Sequence, residues 1–225
     1  MSSAIVQCFF DAVAALRDDL RARGSDLAVL CGDPAEELVR LARKIGAKTL
    51  FFAEDYEPYA RVRDAAVSAA LEKNGVEVRR HLDHVYFGSD EIVRAGGAPY
   101  KMFAPYRRQR MAALWERPRA IAPSLRRLRG KLLDAAAIGE TQPVPAPERF
   151  GFTSSTRYPR CSERAAHALL ARFARDGLED YGKRRDFPSL DATSHLSPQL
   201  RAGTIGIRTC VEAAKGGPAW LNELV

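Results

Sequence analysis

Apolar residues in the first eighty positions follow two periods in turn. Val6, Phe9, Val13, Leu16 and Leu20 step by three and four, which predicts one apolar stripe on a helix that Gly24 can close. Leu27 to Cys31 is a short apolar run of strand length. Asp33-Pro34-Ala35-Glu36 has the chemistry of a helix start. The Asp33 carboxylate can cap free amides, Pro34 suits the first helical position, and Glu36 stands three residues after the cap. Leu38, Leu41, Ala42 and Ile45 form the inward face of that helix, and Gly46 ends it. Thr49 to Ala53 carries Leu50, Phe51 and Phe52 in succession, the pattern of a strand covered on both faces of a parallel sheet. A helix over 61–73, ended by Asn74-Gly75, and a strand over 76–81 follow. Strand, helix and strand on short links predict an α/β fold, Rossmann-like, with a parallel sheet.

The alternation stops near residue 100. Residues 101–131 are compatible with helix but are broken by Pro105, Pro118 and Pro123. Gln142-Pro143-Val144-Pro145-Ala146-Pro147 reads as a stiff, extended connector between domains. Ala166, Leu169, Leu170 and Phe173 then give an amphipathic helix stopped by Gly177, and nothing beyond 180 reads as a strand series. The second part is expected to be all-helical.

Charge changes this picture in one place. Arginine supplies most of the 35 basic residues, and the formal net charge is +7. Between Lys101 and Lys131 there is a single acid, Glu116, so the rest of the chain is nearly balanced. A local basic stretch suits nucleic acid or another polyanion, and it equally suits a solvated interdomain helix. Composition is otherwise that of an ordinary globular protein, with 46% hydrophobic residues and a mean hydropathy of -0.26. No window approaches the run of about 18 apolar residues that a membrane span needs. The opening Met1-Ser2-Ser3-Ala4-Ile5 lacks the basic region of a secretory signal, so a cytoplasmic protein is expected. Cys8, Cys31, Cys161 and Cys210 are far apart and are expected to be reduced thiols. His81 and His84 have no third ligand near them in sequence, and no metal site is expected. There is no P-loop, no dinucleotide glycine fingerprint and no nucleophile elbow.

The candidate chemistry lies after residue 180. Ser197-Pro198 reads as a cap followed by proline at the first helical position. Thr193, Ser194 and Ser197 would set three hydroxyls beside the free amides of that helix start, a cradle for a diphosphate. The same stretch carries Asp180-Tyr181, Arg185-Asp186-Phe187-Pro188, Thr193-Ser194-His195-Leu196-Ser197-Pro198, Gly203, Arg208 and Trp220-Leu221-Asn222-Glu223-Leu224. With Asp55-Tyr56-Glu57-Pro58, Arg61, Arg63-Asp64 and Gly97 to Tyr106 in the first half, this series resembles the DNA photolyase and cryptochrome family.

The resemblance implies light-dependent repair of UV-damaged DNA, in which reduced FAD donates an electron to a cyclobutane pyrimidine dimer flipped out of the duplex. It implies FAD contacts from Tyr181, Thr193, Ser194, His195, Leu196, Ser197 and Trp220. It implies a DNA contact from Arg185 and a hydrogen bond from Glu223 to the damaged pyrimidine pair. The implied domains are an antenna-type α/β domain over 1–106, a basic, proline-rich connector over 107–150, and the start of a helical FAD-binding domain over 151–225. His195 stands where the family has arginine, and Gly97-Ala98 lacks a folate-binding glutamate, so the antenna, folate or deazaflavin, is left unassigned. Family members start with a strand, helix and strand that have no counterpart before Ile5, and they continue past Val225. A partial, inactive photolyase, monomeric if folded, is the expectation. The alternative is a non-catalytic α/β module that binds a polyanionic or protein partner through 101–131.

Overall fold

The computed structural model describes residues 4–121, 130–139, 141–153 and 161–224. The chain divides into two compact units. Met1–His81 and Ser124–Arg160 form the first, and Leu82–Pro123 and Cys161–Val225 form the second. The units interleave along the chain, so their limits fall elsewhere than the linear boundaries at 106 and 150. Residues 82–106 pack with the later helices because Tyr86, Phe87 and Ile92 belong to the same apolar cluster as Leu170 and Trp220.

The first unit is built on a β–α–β motif. Strand β1 (Thr49–Ala53) runs parallel to β2 (Glu77–His81) in the register Thr49 with Glu77 through Ala53 with His81. Helix α3 (Pro58–Lys73) makes the crossover, and α2 (Pro34–Ile45) packs beside it. Ala42, Val67, Leu71 and Val76 are buried between them, with Leu38, Leu50 and Val78 against their edge. The α2 start follows its sequence. Asp33 accepts from Ala35 N at 2.9 Å and Glu36 N at 3.1 Å, Pro34 opens the helix, and Gly46 closes it at φ +67°. That left-handed turn is one an L side chain adopts only with strain.

Two strand expectations are corrected. Phe51, expected to be covered, is 58% exposed. The helices lie over the Leu50 side, and on the Phe51 side the ring stacks on the His81 ring and lies 5.6 Å, centroid to guanidinium, from Arg79. Leu27–Cys31 forms no strand. The Asp26 carboxylate accepts the Leu27 amide at 2.7 Å, which takes a donor that a ladder would use.

Helix α1 (Ala4–Arg21) buries Cys8, Ala12 and Arg17, and leaves Phe9 and Leu16 of the expected stripe exposed. Arg17 explains the rotation. Its Nε donates to Asp26 at 2.8 Å, its Nη1 to the Gln142 carbonyl at 2.7 Å, and its Nη2 to Thr141 Oγ1. The start of the proline-rich segment is therefore tied to α1 by a buried arginine. The thiols also depart from expectation: Cys31 and Cys210 are free, whereas Cys8 and Cys161 are disulfide-bonded.

The second unit is helical: α4 (Phe103–Glu116), then, after the short α5 (Ala135–Ile138) of the first unit, α6 (Glu163–Asp176), α7 (Tyr181–Arg184), α8 (Ser197–Arg201), α9 (Ile207–Ala213) and α10 (Pro218–Leu224). Ala166, Leu170 and Phe173 turn inward on α6, as their spacing predicts, and meet Cys210, Ala214, Trp220 and Leu221. Arg208 adds a polar tie, with Nη2 donating to the Leu82 carbonyl at 2.8 Å and Nη1 to the Ala120 carbonyl at 3.3 Å.

Candidate functional site

Phe173 organises the site from below. Its ring meets Tyr181 edge-on at 5.7 Å and Trp220 at 4.8 Å, and all three rings are buried. Helices α7 and α10 come close because residue 182 is glycine: a Cβ there would stand 3.1 Å from the Ala219 Cβ. The approach carries Arg185, just past α7, to Glu223 near the end of α10. Arg185 Nη1 donates to Glu223 Oε1, and its guanidinium lies 5.8 Å from the Tyr181 ring centroid. The Glu223 hydrogen bond and then that of Tyr181 hold the Arg185 pKa above the ordinary arginine value. Both members of the pair are partly open to solvent.

Two arginines of the basic stretch reach the same helix end. Arg107 Nε donates to Asn222 Oδ1 at 3.0 Å, and Arg110 Nη2 to the Asn222 carbonyl at 2.7 Å. Farther along, Arg119 bonds Glu91, and its backbone amide donates to the Tyr86 hydroxyl at 2.9 Å. Much of the described basic stretch is thus engaged inside the unit, while Lys101 and Arg108 face solvent. The part of it over 122–129 lies outside the described residues.

The 191–197 loop is pinned by buried Ala192 and Leu196 and turns Thr193, His195 and Ser197 outward. His195 takes the left-handed region at φ +53°, which a residue with a side chain enters rarely. Its Nε2 lies 2.6 Å from Asp191 Oδ1, and that hydrogen bond lowers the Asp191 pKa. Ser197 is the first residue of α8 and makes no cap bond, contrary to its expected role. Ser194 Oγ instead accepts from Leu196 N at 3.4 Å. Thr193 lines a cleft of about 180 Å³ with Arg172, Asp176, Arg184 and Asp191. Among the described residues no three His, Cys, Asp or Glu side chains group as metal ligands, and no helix is long and apolar enough to cross a membrane.

Comparison with known proteins gives these positions a context. Residues 1–124 match the family model for DNA photolyase. The chain belongs to the DNA photolyase family. It is 36% identical over 212 residues to the deoxyribodipyrimidine photo-lyase of Halobacterium salinarum, covering 93% of this chain and 43% of that protein. A bacterial class III photolyase from Agrobacterium tumefaciens superposes with a TM-score of 0.78 at 26% identity, over 96% of this chain and 44% of that one. An archaeal photolyase from Sulfolobus tokodaii, solved with two FAD molecules, gives a TM-score of 0.70 at 21% identity, over 99% of this chain and 46% of that one, which bears on the fold alone. The chain spans about two fifths of the length of the curated photolyases it matches.

Photolyases bind FAD, and the residues that the sequence resemblance assigns to it fall into two groups. Tyr181 and Trp220 are core residues packed on Phe173, whereas Thr193, His195 and Ser197 lie on the exposed loop. The cleft at Thr193 is smaller than the roughly 300–1,000 Å³ of ligand pockets. Sequence reasoning singled out Arg185 and Glu223 but missed Arg110 and Asn222. The one signal for Arg110 is its place in α4, where it falls in step with Tyr106 and the buried Ala113 and Leu114.

Proposed function

We propose that the chain is a partial photolyase-type polypeptide whose Arg185–Glu223 face recognises a cyclobutane pyrimidine dimer in UV-damaged DNA, and that it does not by itself hold FAD or carry out the light-driven repair. The meeting of Arg185 and Glu223 at the surface supports the reading above all else. By resemblance one contacts the DNA strand and the other the pyrimidine pair, and here they stand in one hydrogen-bonded pair beside the Tyr181 ring. A strand phosphate can compete for Arg185 and leave the carboxylate to accept from a base N–H. The reading takes the chain as cytoplasmic, as photolyase resemblance implies, and as a monomer, because one chain supplies both members of the pair. A module that binds polyanions through 101–131 is less supported, since Arg107, Arg110 and Arg119 are engaged internally.

The test is equilibrium binding, in the dark, of a duplex oligonucleotide with one thymine dimer and of its intact twin. Tighter binding of the damaged duplex, by roughly ten-fold, is expected, and Glu223→Gln is expected to abolish the preference. Equal binding of the two duplexes overturns the recognition reading. Flavin absorbance at one per purified chain, or dimer splitting by the chain and reduced FAD under blue light, overturns the partial-enzyme reading.

A further inference from the structure

Arg110 sits on the inward side of α4 and is only 6% exposed. Its guanidinium is wedged 5.4 Å from the Tyr106 ring centroid and 5.9 Å from that of Phe103. Nη2 reaches the Asn222 carbonyl, while the buried Nε has no hydrogen-bond partner. Among the described residues no carboxylate lies within ion-pair distance of it. Burial pushes its pKa below the ordinary arginine value; the Glu223 carboxylate works against that push and the Arg107 charge adds to it.

Closing a helix end does not require such an arrangement. An exposed lysine or arginine can satisfy a last-turn carbonyl at little cost. A buried charge is costly, and apolar side chains of similar volume in its place are often neutral or stabilising. What this arrangement does supply is a fixed point. Asn222 is held at its carbonyl by Arg110 and at its side chain by Arg107, and the next residue is Glu223. Helix α10 has only seven residues, so its last turn is placed by what grips it.

We propose that Arg110 is a positioning residue that, through Asn222, fixes the backbone carrying Glu223 and thereby sets how well the face tells a damaged pyrimidine pair from an intact one. This rests on Glu223 as the base-reading carboxylate. A hydrogen bond that reads a base tolerates little displacement of its acceptor, so loosening Asn222 lowers discrimination without removing any group that touches DNA.

The test measures two quantities on the full chain: the damaged-to-intact binding ratio and the urea midpoint. Arg110→Met is expected to keep or raise the midpoint while the ratio falls roughly ten-fold, with affinity for intact duplex unchanged. Arg110→Lys, which can still donate to the carbonyl, is expected to recover part of the ratio. In the Glu223→Gln background, Arg110→Met is expected to lower the ratio no further, since both changes disable one contact. A wild-type ratio in Arg110→Met beside a lost ratio in Glu223→Gln overturns the proposal and leaves the recognition reading standing. So does a ratio that merely tracks the midpoint across the Arg110 variants, or a further fall in the double variant. A chain with no preference for the damaged duplex ends the recognition reading and the proposal with it.

Discussion

Replacing Trp220 separates a packed core from an open ligand wall. The side chain is 3% exposed and meets Phe173 at 4.8 Å with the rings 65° apart. Truncation to alanine removes a large buried indole and leaves a cavity beside Phe173, a change that costs about 3–5 kcal/mol. The edge-on ring pair accounts for about 0.5–1.5 kcal/mol of that. Against a total stability of about 5–15 kcal/mol, this is roughly a fifth or more of what holds a small domain folded. Urea unfolding is the assay, with far-UV dichroism following the helices. Trp220→Ala is expected to lower the midpoint with the slope unchanged, and Trp220→Phe to lower it by less than half as much. The protein has two tryptophans, and Trp115 is 56% exposed, so a Trp115→Phe background leaves Trp220 as a fluorescence reporter of this core alone. A loss below about 1 kcal/mol in Trp220→Ala refutes the packing argument, because surface-like substitutions fall in that range.

Two further outcomes follow from the first unit. Hydrogen bonds from Arg17 and then Arg21 hold the Asp26 carboxyl well below the usual carboxylate range. The folded value is depressed, so the stabilisation is present above the ordinary aspartate value and is lost as pH falls through the folded one. Urea midpoints from pH 7 downward should fall in acid, and Asp26→Asn should flatten that fall; an equal slope in both proteins counts against the assignment. Asp33→Ala should cost about 1 kcal/mol by freeing two amides at the start of α2, and Asp33→Ser should retain most of it; an unchanged midpoint in the alanine variant removes the cap from the account.

Local chemistry was the legible part of the fold. The start and end of α2 could be read because a carboxylate, a proline and a glycine each act within a few residues of where they stand. The parallel pair of strands and the inward face of α6 came from periodicity alone. Leu27–Cys31 could not be read, because an apolar run becomes a strand only if a neighbour's edge is free and its own amides are not already taken. The inward turn of α1 depends on Arg17 finding Asp26 and the carbonyl of Gln142, a partner 125 residues away. In the site, the resemblance named Arg185 and Glu223, but their contact depends on Gly182 letting α7 meet α10. Arg110 looks like one more surface charge until α4 is docked.

The interleaving of the two units governs how the molecule can be made and taken apart. Each unit is assembled from two separate stretches of chain. On the ribosome, residues 1–81 must wait for 124–160 before their unit is complete, several seconds at about 5–20 residues per second, and the whole of 82–123 emerges in between. A protease nick within 82–123 or within 124–160 cuts the backbone without yielding an intact unit on one fragment. For the same reason no single uninterrupted gene fragment encodes one unit alone, and because the four stretches alternate between the units, a circular permutation of the gene leaves both of them split.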